Sequence, residues 1–259
     1  MKNRLYILSL LVTLIMIIIL RVEAHDIVKL TEDNHIVIRG PIDGMSSSKI
    51  TNNLVNKKSK ELYIFIASNG GSVTSGMQIV QTIQALQQSG TKIICIGNIA
   101  LSMGFVILQY CENRYVMPSS VLMQHQMSLG TQGPLKNVNS YMEFINTMDL
   151  EIEEYQASRL NLTLDEFKSK VDHDWWLFGL SAVKHGAADK MVSVLCDFKV
   201  EYFEEVIHTP FGSVQLKYST CPLARDPIEI KFNDSIPQTE INNIKKEYYL
   251  SNLVPKFYL

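Results

Sequence analysis

Ile99-Ala100-Leu101-Ser102-Met103-Gly104-Phe105 is the stretch on which the fold turns. The run before it, Lys92 to Gly97, is strand-like, and from Gly104 to Leu108 the chain stays uncharged and apolar, which predicts a helix buried on all sides. Ser102 is the one reactive hydroxyl here and falls at the strand-to-helix junction. The first backbone amides of a helix have no acceptor and its dipole is positive at that end, so an oxyanion developing on a nearby carbonyl would be held. A serine before a helix is also an ordinary N-cap, so position alone leaves cap and nucleophile both open.

Outward from this stretch, Ile36 to Ile38 reads as a short strand closed by the turn-rich Arg39-Gly40-Pro41-Ile42-Asp43, and Met45 to Val55 has helical spacing. Leu62 to Ala67 is an apolar, β-compatible run that stops at Ser68-Asn69-Gly70-Gly71-Ser72. A helix is predicted from Val73 to Gln88, with Met77, Val80, Ile83 and Leu86 at helical spacing and Gly90 as its C-terminal cap. Downstream, Arg114 to Met117 and Val121 to Met123 read as two short strands separated by Pro118-Ser119-Ser120. A long amphipathic helix is expected from Val138 to Leu160, with Tyr141, Phe144, Ile145, Met148, Ile152 and Tyr155 on one face. Alternating strands and helices predict an α/β fold with a mainly parallel sheet and right-handed crossovers. Loops at the carboxyl ends of such strands share one crevice, which brings Gly70-Gly71 to Ser102.

At 259 residues, 46% hydrophobic and 19% charged, the chain can bury the core of one principal domain and is neither disordered nor fibrous in composition. A net charge of −2 without a Lys/Arg-rich run gives no reason to expect nucleic acid as a partner. Residues 1–24 have the layout of a secretory signal: Lys2 and Arg4, an uncharged run from Leu5 to Leu20, then Val22 and Ala24 before a cleavage point. The apolar run is intermediate in length, so removal and retention as a membrane anchor both stay open. Either way the expected location is the secretory pathway, extracytoplasmic or membrane-anchored. Residues 25–194 are expected to form the principal domain. Residues 195–259, β-rich around Thr209-Pro210-Phe211-Gly212 and with a possible helix from Glu240 to Leu250, are expected to be a C-terminal extension.

Cys95 and Cys111 lie in apolar segments and are expected to be buried free thiols. Cys196 and Cys221 flank a candidate hairpin, where pairing would contribute about 3 kcal/mol in the chain-entropy account. Asn161-Leu162-Thr163 and Asn233-Asp234-Ser235 are glycosylation sequons.

A serine nucleophile needs a base for its proton, a carboxylate to orient that base, and donors for the oxyanion. Only His125 ends a sheet-like strand, Val121-Leu122-Met123-Gln124-His125; His25, His35, His173, His185 and His208 fall in loops, turns or polar contexts. No HExxH and no paired Cys/His spacing occurs, so neither a metal nor a cofactor is expected.

Five segments resemble the proteolytic subunit of the Clp protease, ClpP: Gly-Pro-Ile-Asp at 40–43, Ser-Asn-Gly-Gly-Ser-Val at 68–73, Leu-Ser-Met-Gly at 101–104, Met-Gln-His-Gln at 123–126 and Ala-Val-Lys-His-Gly-Ala-Ala-Asp at 182–189. Their order and intervals match that family over about Ile36 to Val194. The resemblance implies a ClpP/crotonase-like fold and a serine endopeptidase with Ser102 as nucleophile, His125 as general base and Asp174 as the triad carboxylate. Asp172, two residues away, is the competing carboxylate. The backbone amides of Gly71 and Met103 match the family's oxyanion hole. The same resemblance implies a homo-oligomeric ring, peptide or unfolded-protein substrates, and a handle helix in the segment after His125 that joins two rings. Asn69 stands where the family has Pro and His173 where it usually has Arg, a residue that helps rings contact each other, so the fold is better supported than the stacking. The leader and the tail suggest a peptidase that works without the family's usual ATPase unfoldase. Other readings are a catalytically silent ring or scaffold subunit, a Ser/Lys membrane peptidase and a crotonase-type acyl-CoA enzyme. No lysine stands near Ser102 or His125 in sequence to serve the Ser/Lys version.

Overall fold

The computed structural model describes residues 25–233 and 235–248, so the leader reading of residues 1–24 lies outside the described residues. Seven strands of these residues form one sheet in the order β1-β7-β5-β4-β3-β2, with β6 paired to β5 off that path. In chain order they are β1 (Asp26–Leu30), β2 (His35–Ile42), β3 (Glu61–Gly71), β4 (Lys92–Leu101), β5 (Asn113–Gln124), β6 (Trp175–Phe178) and β7 (Lys190–Cys196). Every pairing along the path is parallel, and only β5 with β6 is antiparallel. This is the mixed α/β fold with a mainly parallel sheet that the sequence predicts.

Parallel strands covered on both faces read as continuous apolar runs, and β4 is buried from Ile93 through Leu101. On one face, α1 (Gly44–Asn56), α2 (Val73–Gln88), α3 (Met103–Tyr110) and α4 (Leu135–Arg159) supply Leu54, Ile83, Phe105 and Ile152 to the larger core. The same core takes in Phe167 of α5 (Leu164–Val171) and Ala182 of α6 (Leu180–Lys184). A smaller core on the opposite face gathers Leu30, Phe65, Ile96, Leu101 and Val192, with Trp176 and Phe198 packed against it.

Several elements run further than local sequence suggests. Pro118-Ser119-Ser120 does not divide β5. Ser120 Oγ accepts from the Met117 amide (2.7 Å) and donates to the Gly97 carbonyl (2.5 Å), which stitches the irregularity into the ladder as a bulge. Likewise β2 passes through Arg39-Gly40-Pro41 with a register shift, and Pro41 is tolerated because β2 is an edge strand. The long helix starts at Leu135, just after Pro134, and its expected apolar face divides. Ile145 and Ile152 are buried with Met148 and Tyr155 beside them, whereas Tyr141 and Phe144 are exposed.

Residues past β7 form a second, antiparallel sheet, β10-β9-β8, from β8 (Tyr202–Thr209), β9 (Gly212–Ser219) and β10 (Glu229–Phe232), followed by α7 (Gln238–Tyr248). Its own core is Val214, Leu216, Tyr218, Ile236 and Ile244. The Arg39 guanidinium of β2 lies 4.6 Å from the centroid of Tyr218 on β9, which ties this sheet to the edge of the first.

The cysteines correct one expectation: Cys95 and Cys111 are not free thiols but a disulfide, with Cα atoms 5.9 Å apart. Cys196 and Cys221 form a second, also at 5.9 Å. Sequence spacing could not show the first pairing, because it needs the end of α3 to return alongside β4.

Candidate active site

Ser102 caps α3 without acting as a side-chain cap: its hydroxyl makes no hydrogen bond to the helix amides. Its backbone sits at φ 53°, a conformation costly for any residue with a Cβ and typical of strained positions at sites of chemistry. The strain is held from both sides: the Ser102 amide donates to the Met123 carbonyl (2.8 Å), and the Ser102 carbonyl accepts from Phe105 and Val106. The hydroxyl, spared from capping, lies 2.9 Å from His125 Nε2. His125 follows directly on β5, so the pairing of β4 with β5 (Leu101 opposite Met123) sets the distance between the two side chains.

Asp174 falls immediately before β6. The antiparallel register of β5 with β6 ends at Gln124 opposite Trp175, so one step further would set His125 opposite Asp174. The carboxylate itself is exposed and no hydrogen bond joins it to His125 among the described residues. Asp172, also exposed, accepts from Gln126 Nε2 (3.1 Å) and lies 3.4 Å from His173 Nδ1. Sequence and structure therefore bring Ser102 and His125 together and leave Asp174 without a hydrogen bond to either among the described residues.

Gly70 and Gly71 end β3 against this turn. A Cβ on Gly70, whose φ is 94°, would stand 2.7 Å from the Leu101 carbonyl oxygen and 2.7 Å from Ser102 Cβ. One on Gly71, at φ 145°, would stand 2.2 Å from the Ile42 carbonyl oxygen. Only glycine permits this approach. Met103, the first residue of α3, has an amide with no acceptor inside the helix. Gly71, Ser102, Met103 and His125 line one cleft of about 90 Å³.

The far wall of that cleft comes from α4 and α5, with Asp149, Ile152, Glu153, Gln156 and Phe167. None of these was singled out as a site residue from sequence. The signal was the spacing of Asp149, Glu153 and Gln156, which places polar groups on the same side of α4 as the apolar Ile145 and Ile152. A buried bond from Gln124 Nε2 to Gln156 Oε1 (2.7 Å) holds α4 to the end of β5. Burial pushes the Asp149 carboxyl above the ordinary carboxylate range. Burial, and then the neighbouring Asp149 charge, does the same to Glu153, against Lys168 3.3 Å away.

The last resembling segment has a structural role. Asp189 receives the Arg114 amide at 2.6 Å and its guanidinium Nη2 at 2.5 Å, while Arg114 Nη1 reaches the Gln109 side chain and the carbonyls of Arg159 and Gly186. This pins the start of β5, the end of α4 and the approach to β7 together.

No group of three or more His, Cys, Asp or Glu side chains that could hold a metal ion occurs among the described residues. Nor is any helix among them long and apolar enough to cross a membrane. A family model described as Clp protease matches residues 21–194, which take in β1 to β6, nearly all of β7, and every residue of the cleft. With a match over most of its length, the chain belongs to the Clp protease family of serine peptidases.

Proposed function

We propose that the chain is a serine endopeptidase that hydrolyses peptide bonds through Ser102 and His125, with Asp174 as the orienting carboxylate, in an oligomeric ring. The 2.9 Å contact between Ser102 Oγ and His125 Nε2 carries this reading. Nε2 accepts the hydroxyl proton as Oγ attacks the carbonyl carbon, and the amides of Gly71 and Met103 receive the oxyanion. The imidazolium then returns its proton to the departing amine, leaving an acyl-enzyme that water hydrolyses through the same base. Asp174 falls opposite His125 when the β5–β6 register is extended by one residue, and is the carboxylate assigned to orient Nδ1.

Ring assembly is supported by α4, the helix that the resemblance makes the handle: Leu135, Tyr141, Phe144 and Leu150 are exposed on it. Residence in the secretory pathway is supported by the two disulfides, which persist in oxidising compartments. In that setting the enzyme acts on peptides or unfolded chains without an ATPase unfoldase, and co-purification of such an ATPase would overturn that part.

A fluorophosphonate probe tests the chemistry. Labelling of the wild type that is lost in Ser102→Ala and His125→Ala supports the peptidase. The second reading, a catalytically silent ring or scaffold subunit, is favoured by the exposed, unbonded Asp174; intact protein that takes no label supports it instead.

A further inference from the structure

The cleft beside Ser102 has an uneven wall. Ile152, Phe167 and Val171 give it apolar surface, and Asp149 and Glu153, one helical turn apart on α4, put two carboxylates into the same lining. Lys168 lies 3.3 Å from Glu153. Asp149, partly buried, accepts no hydrogen bond and forms no ion pair among the described residues. Two acids thus share one cation, and the recess is left with an excess negative charge that water solvates poorly.

We propose that this recess receives the side chain on the acyl side of the scissile bond and selects lysine or arginine there. The proposal rests on the peptidase reading of Ser102. A carbonyl held at the amides of Gly71 and Met103 directs the side chain of its own residue into the space between α3 and α4. An aliphatic stem would lie along Ile152, Phe167 and Val171 while the cationic head meets Asp149. An apolar side chain would fill the same space but leave the Asp149 carboxylate desolvated and unpaired, which costs binding free energy. An acidic side chain would add a third negative charge. Burial raises the proton affinity of both carboxyls, a cost that an arriving cationic head would relieve.

The test compares fluorogenic peptides identical except for lysine, arginine, leucine or glutamate before the cleaved bond, assayed on the full-length assembled protein with parallel fluorophosphonate labelling. The expected result is a kcat/KM at least tenfold higher for lysine and arginine than for leucine, and lower still for glutamate. Asp149→Asn should cut the lysine-to-leucine ratio by about tenfold while labelling of Ser102 persists. Lys168→Gln should raise that ratio, an effect that a purely structural role for these residues does not produce. Wild type that labels but prefers leucine, or a ratio unmoved by Asp149→Asn in labelled protein, overturns the proposal and leaves the peptidase standing. Wild type that neither labels nor cleaves overturns both.

Discussion

His125 Nε2 and Ser102 Oγ meet at 2.9 Å although 23 residues separate them in the chain, because both extend from adjacent parallel strands. Ser102 follows β4 at a strained turn, and His125 is the first residue past the end of β5. The geometry is therefore a property of the sheet, and perturbing the strand ends should disturb chemistry before it disturbs folding.

The neighbouring carboxylates separate in a mutational test. Asp174→Asn should lower kcat on a peptide substrate by about 10³–10⁴-fold, the scale seen when a triad carboxylate is neutralised. Asp172→Asn should lower it less than about threefold, since Asp172 faces solvent, Gln126 and His173. Steady-state kinetics on both variants checks this, and the reverse order would transfer the role to Asp172.

Gly71→Ala should lose most of its activity. Its Cβ would stand 2.2 Å from the Ile42 carbonyl oxygen, so the end of β3 must shift and carry its amide away from Ser102. Loss of one oxyanion donor costs on the order of 10²–10³-fold in kcat. Kinetics together with a denaturation curve would show whether activity falls further than stability.

Asp189→Asn should destabilise the fold by about 2 kcal/mol. Removing one partner of a fully buried ion pair costs about 3–5 kcal/mol, but the Asp189 side chain is 40% exposed. Arg114 also keeps its carbonyl and Gln109 partners. Urea unfolding measures the difference, with the slope unchanged if the native state is otherwise intact.

All four cysteines should resist alkylation in denaturant until a reductant is added, and then all four should react. The paired substitution Cys196→Ser with Cys221→Ser should cost about 3 kcal/mol in the chain-entropy account. Mass spectrometry and thermal unfolding test the two statements.

Acid should weaken the fold partly through His35. Its ring stacks on Phe198 at 5.4 Å and Nδ1 donates to the Thr31 carbonyl, and burial holds its pKa below the ordinary 6.5. The unfolded chain then binds the proton more readily, so stability should fall as the pH drops below about 6.5 and level off beneath the folded-state pKa. His35→Gln should flatten that fall, read as urea midpoints at pH 7.5 and 5.5.

The apolar runs of β3 and β4, the spacing of α2 and the Ser102 junction were legible because each is a local pattern. Ends of elements were not: β5 passes through Pro118 only because Ser120 bonds across to Gly97, a partner more than twenty residues away in sequence. β1, β6 and β7 lie outside the strands read from the sequence, β1 and β6 with only five and four residues. Ser102 and His125 could be paired from strand order, whereas the sequence alone does not single out Asp149 and Glu153, because only the packing of α4 sets them in the cleft lining.

The Cys196–Cys221 bond joins the last strand of the family domain to the end of β9, with the whole β8–β9 hairpin inside the loop it closes. A protease that nicks the exposed Pro210-Phe211 tip would leave two fragments travelling as one species on a gel until a thiol reagent releases them. The appended sheet is in this sense tethered twice, and clipping it once does not set it free.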